Sequence, residues 1–104
     1  MTKRYKTSKK VYMAALEACN GMCVLCGATR GLELHHILGR GRYLTDCLAN
    51  CVFLCHNCHH NVVHASLKTY RPILKEISKE IYGVELHEGK EFYLGEEYGS
   101  EENV

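Results

Sequence analysis

Cys23-Val24-Leu25-Cys26, then Leu34-His35-His36-Ile37, then Asn50, then Leu54-Cys55-His56-Asn57-Cys58-His59-His60, and finally His64: this ordered stretch decides the fold. Each Cys-x-x-Cys knuckle offers two thiolates to one ion, so the pair Cys23/Cys26 and Cys55/Cys58 predicts a tetrahedral four-thiolate zinc site with no coordination position left open. Zinc held that way is structural. The histidines are surplus to it, and so many imidazoles around one knuckle pair point to a second, catalytic ion site. An enzyme is therefore the first expectation.

Composition agrees with one small metal-supported domain. The chain has 104 residues, 46% hydrophobic and 24% charged, which is ordinary for a globular protein but of a size where metals often supplement the core. Seven cysteines is an odd, high count that fits metal ligation better than a disulfide framework. No apolar run nears the roughly 18 residues of a membrane span, so no membrane partner is expected, and a reducing cytoplasm is the expected compartment. Cys19, Cys47 and Cys51 read as small buried hydrophobes.

The net charge of +1 hides an asymmetry. Lys3, Arg4, Lys6, Lys9 and Lys10 make the start basic, and Glu88, Glu91, Glu96, Glu97, Glu101 and Glu102 make the end acidic. Between them Arg30, Arg40, Arg42, Lys68, Arg71 and Lys75 leave the motif-bearing segment basic and suited to a polyanion. Each charged end taken alone reads as a solvated tail. Residues 1–87 are expected to form one domain, with 88–104 an acidic tail.

The spacing predicts a helix from Ser8 to Asn20, with Ser8 as N-cap, Val11, Ala15 and Cys19 on one face and Gly21 as the stop. Leu32 to Ile37 and Asn50 to Leu54 read as two strands joined by a loop that contains Gly39-Arg40-Gly41-Arg42. A helix is expected from about Cys58 to Ala65-Ser66. Pro72 then suits the first turn of another, whose stripe of Ile73, Leu74, Ile77 and Ile81 ends at Gly83. Glu91-Phe92-Tyr93-Leu94 could add a short strand.

In this arrangement Leu34-His35-His36-Ile37, Asn50 and Leu54-Cys55-x-x-Cys58-His59 resemble the HNH endonucleases, closest to small phage-borne and McrA-like members. The likeness covers roughly Cys23 to His64. It implies an α+β fold, a zinc-stabilised ββα-metal core with flanking helices. It further implies His35 as a metal ligand, His36 as general base, Asn50 as the residue that orients the base or tethers the loop, and His59 and His64 as further ligands. The cofactors implied are a structural zinc in the four-cysteine site and one catalytic divalent ion, Mg2+, Mn2+, Ni2+ or Zn2+. The partner implied is DNA, met along the minor groove, with a homodimer or a phage or host DNA-processing protein as further partners.

One departure from the family stands out. Relatives usually carry His-x-x-x-His directly after the last cysteine, whereas this chain has His59 and His60 in succession and then His64. On a regular helix His60 and His64 share a face and His59 and His64 do not, so His60 competes with His59 as ligand. Neutral imidazoles hold an ion without cancelling its charge, and one near the unperturbed pKa of about 6.5 is mostly a free base at neutral pH. Arg40 and Arg42 could contact phosphates or be solvated loop arginines. A zinc-ribbon-like nucleic-acid-binding module without catalysis, or a partner-binding protein that uses the acidic tail, would share the same cysteines.

Overall fold

The computed structural model describes residues 7–39 and 46–86. Arg40, Arg42, the basic residues Lys3, Arg4 and Lys6, the acidic tail and the Glu91–Leu94 strand expected from the sequence lie outside the described residues. What is described is a small α+β unit: helix α1 (Lys9–Ala18), strand β1 (Leu32–His36), strand β2 (Cys51–Cys55), a π turn over Cys58–Val63 and helix α2 (Leu67–Tyr82). No helix among the described residues is long and apolar enough to cross a membrane.

The two strands pair antiparallel, with Leu32 opposite Cys55 and His36 opposite Cys51. Every residue of β2 is buried, so this strand runs through the centre of the core even though the sheet has only two strands. From one side α1 lays Val11 and Ala15 against it, and Tyr12 meets Phe53 edge to face with ring centroids 5.0 Å apart. Burying an aromatic of that size is worth a few kcal/mol, so α1 is held by packing more than by its own helical propensity. Ser8 caps α1 by accepting the Val11 N–H, and its own N–H donates to Asp46 Oδ1 at 2.7 Å. The helix stops at Ala18, two residues before the predicted end, because Asn20 (φ 59°) and Gly21 (φ 65°) turn left-handed.

Two predicted elements differ in kind. Pro72 does not open α2; it sits inside a helix that starts at Leu67, with Ser66 in the non-helical cap position. Its missing N–H leaves the Lys68 carbonyl without an intrahelical partner on an exposed face, where water can serve it. The stretch after Cys58 is a π turn followed by a 3-10 turn at His64–Ser66, not a regular α-helix. Leu74 is fully buried, Ser78 Oγ donates to the Ala49 carbonyl, and Tyr82 OH donates to the Cys51 carbonyl at 2.8 Å. These bonds dock α2 onto the entry to β2.

Candidate metal centres

The first knuckle leaves α1 through Gly21, and the second begins at the last residue of β2. Cys23, Cys26, Cys55 and Cys58 come together with all four sulfurs within 4.8 Å of one another, a group that could hold a metal ion. The knuckles explain the convergence. In each, the backbone N–H of the later cysteine points at the sulfur of the earlier one, Cys26 N to Cys23 Sγ and Cys58 N to Cys55 Sγ, both at 3.4 Å. The Val24 N–H donates to the Phe53 carbonyl at 3.0 Å, which fixes the first knuckle to the strand that carries the second.

Crowding of the four sulfurs shows in their acidity. Burial works against the Cys23 thiolate, but backbone hydrogen bonds around Cys55, Cys26 and Leu25 outweigh it and lower its pKa. Burial and then the three neighbouring sulfurs raise Cys58 well above its ordinary value. One negative charge is thus welcome and further ones need a cation. Cys19 and Cys47 are buried, and burial raises both thiols, which leaves them inert packing groups.

The second centre is made of imidazoles. His35, His59 and His64 offer nitrogens that all lie within 4.8 Å of one another. His35 stands on β1, and its ring faces His59 and His64 with centroids 5.1 and 5.4 Å away. The π turn supplies the match. His64 donates its backbone N–H to the His59 carbonyl, an i to i+5 bond, so residues five apart stack on one face, and His64 Nε2 lies 3.2 Å from His59 Nε2. A regular α-turn would have aligned His60 with His64 instead. The extra residue between knuckle and final histidine is absorbed as a π bulge, and His60 is turned toward Glu33.

Glu33 and His56 were not singled out from the sequence, yet they complete this site. Glu33 accepts from His59 Nδ1 at 2.8 Å, from His56 Nδ1 at 2.8 Å and from His60 Nε2 at 2.9 Å. The His59 contact places the ring proton on Nδ1 and aims the Nε2 lone pair at His35 and His64, the usual way a carboxylate orients a ligating imidazole. Hydrogen bonds from His56 and then His59 lower the Glu33 carboxyl to about 2. Strand alternation was the available signal, since Glu33 and His35 are two apart on β1 and share a face. Burial, followed by the charges of His59 and His64, depresses His35 to about 3, so it stays a neutral lone-pair donor at any ordinary pH.

His36 points differently. It is 6% exposed, and its Nε2 lies 2.9 Å from Thr7 Oγ1, yet it borders the same cleft of about 360 Å³ as His35, His59, His64, Leu34 and Gly39. Asn50, fully buried, accepts the Leu38 N–H on Oδ1 at 2.7 Å and donates from Nδ2 to the Gly39 carbonyl at 3.1 Å. Its amide clamps the turn by which the chain leaves β1, and so fixes the strand end that carries both histidines. In comparisons with known proteins, no family model, no curated protein and no solved structure matches the chain.

Proposed function

We propose that this chain is a metal-dependent DNA endonuclease of the HNH type, a zinc-stapled ββα-metal core in which His36 is the general base. The observation that carries the reading is the existence of two separate ligand sets: four sulfurs closed around one point, and three imidazole nitrogens that meet in an open cleft beside a fourth histidine.

One pair in each set stands at the spacing its ion requires, with the other ligand atoms within 4.8 Å. Sulfurs bound to zinc at about 2.3 Å in a tetrahedron stand roughly 3.8 Å apart, and Cys26 Sγ and Cys55 Sγ are 3.7 Å apart. Nitrogens sharing a tetrahedral ion at about 2.1 Å stand roughly 3.4 Å apart, close to the 3.2 Å between His59 and His64 Nε2. Three protein ligands leave room for substrate, whereas four thiolates do not. When bound, a divalent ion in the cleft supplies positive charge to the phosphate and to the departing oxygen.

The protein groups divide the remaining work. His35, His59 and His64 would hold the ion, and Glu33 sets the tautomer of His59. His36 takes the proton of the attacking water on Nε2, which requires that water to replace the Thr7 hydroxyl that stands 2.9 Å from it. Asn50 keeps the base aimed by holding the Leu38–Gly39 backbone.

The test uses zinc-loaded protein and supercoiled plasmid with added Mg2+, Mn2+, Ni2+ or Zn2+. Nicking is expected with at least one ion. His36→Ala should abolish it while zinc content and duplex affinity survive. Absence of nicking by the wild type with every ion supports a zinc-ribbon-like binding module instead, and loss of zinc or fold in His36→Ala counts against the base assignment.

A further inference from the structure

We propose that the basic face of α2 is the track that holds the backbone of duplex DNA next to the imidazole cleft, with Arg71 at the junction. The nuclease reading supplies what is held, and the helix supplies where.

Lys68, Arg71, Pro72 and Lys75 line a cleft of about 270 Å³. At 3.6 residues per turn, Lys68, Arg71, Lys75 and Lys79 fall within an arc of about 80°. That stripe runs beside the apolar face carrying Leu74 and Ile81, while Glu76 and Glu80 point to the opposite flank. Among the described residues every ion pair joins Glu33 to a histidine, so no described carboxylate neutralises these cations. Like charges held in a row repel one another, and a polyanion relieves that repulsion while releasing its own condensed ions.

Arg71 links the stripe to the site. It is half-buried, and its Nε donates to the carbonyl of Ile37, the residue after His36, at 3.0 Å. Anchoring through Nε leaves the terminal nitrogens as a planar fork of the shape that grips phosphate, and its charge is felt at His35. Lys68 and Lys75 flank it as point charges. Seven residues of helix rise about 10 Å, so Lys68 and Lys75 stand far enough apart to reach two different phosphates of a duplex, whose charges recur every ~3.4 Å of axis on each strand. The row can therefore hold more than one phosphate of a duplex whose backbone passes the imidazole cleft.

The test is fluorescence anisotropy of a labelled short DNA duplex, titrated with zinc-loaded protein over a range of salt with no other divalent ion present. Lys68→Gln/Lys75→Gln, two surface changes checked by circular dichroism, should weaken binding roughly tenfold and flatten the log–log salt slope by about 1.8, at ~0.9 per lost phosphate contact. Lys9→Gln/Lys10→Gln removes the same charge from α1 and should change the slope little. Arg71→Lys keeps the charge but loses the fork, and should weaken duplex binding several-fold.

An unchanged slope in the α2 double variant overturns the track, as does an equal loss in the α1 control. So does wild-type protein that binds no duplex, or that prefers single-stranded RNA. Plasmid nicking with an unchanged slope removes the track and leaves the nuclease, whereas a flattened slope without nicking by the wild type does the reverse.

Discussion

The sulfur group and the imidazole group are adjacent in sequence and opposite in construction. Cys23, Cys26, Cys55 and Cys58 come from two copies of one local device, a knuckle whose N–H to sulfur bonds set both cysteines within a single short loop. His35, His59 and His64 come from a strand and a π turn, and a carboxylate on the same strand orients one of them. The first group is mostly buried and can be completed by one ion, while the second faces a cleft. Local geometry makes each half of the closed site and one strand contact joins the halves, whereas the open one is assembled by tertiary pairing throughout. Damage to the first should therefore reach the second, but not the reverse.

The largest effect expected is from Cys55→Ser. It removes a sulfur at the end of β2 and with it a metal contribution that in comparable small domains is on the order of 10 kcal/mol. The variant should show no cooperative thermal transition by circular dichroism and should bind ions at neither position. A cooperative transition with wild-type midpoint would mean that the sulfur group is not what holds the core.

Glu33→Ala should act on the open site alone. Removing the carboxylate that orients His59 typically costs 10- to 100-fold in affinity, read by calorimetric titration of Ni2+ or Mn2+ into zinc-loaded protein. Zinc content and thermal midpoint should stay near wild type. If zinc is lost as well, the two groups are not separable in the way the geometry implies.

The smallest effect expected is from deleting His60. Removal brings His59 and His64 to a spacing of four, which an ordinary α-turn aligns, so ion affinity at the cleft should stay within a few-fold of wild type. Complete loss of binding would show that the π turn positions more than this pair of imidazoles.

Much of the fold could be read from the chain. The knuckles, the two strands and the α1 cap follow from local rules, and each of those residues acts on neighbours a few positions away. The π turn could not be read, because its cause is tertiary: Cys58 is fixed by the sulfur group and His64 by the facing His35, and one residue too many lies between them for an α-turn. Helix α2 shows the same limit. Pro72 looked like a start because a proline is costly inside a helix, yet Leu74 and the Ser78 and Tyr82 bonds outweigh one missing backbone bond. Glu33 was legible in principle from strand alternation, and was hidden by the neighbouring double histidine.

The pairing of Leu32 with Cys55 has a consequence for how the molecule comes into being. A slip of one residue between the strands would exchange the faces of His35 and His36, and with them the ring that meets His59 and His64. The second knuckle sits at one end of that ladder and the Asn50 clamp at the other, so both ends guard against the slip. If the four sulfurs hold a cation, its removal should misalign the cleft with every side chain of that cleft chemically intact.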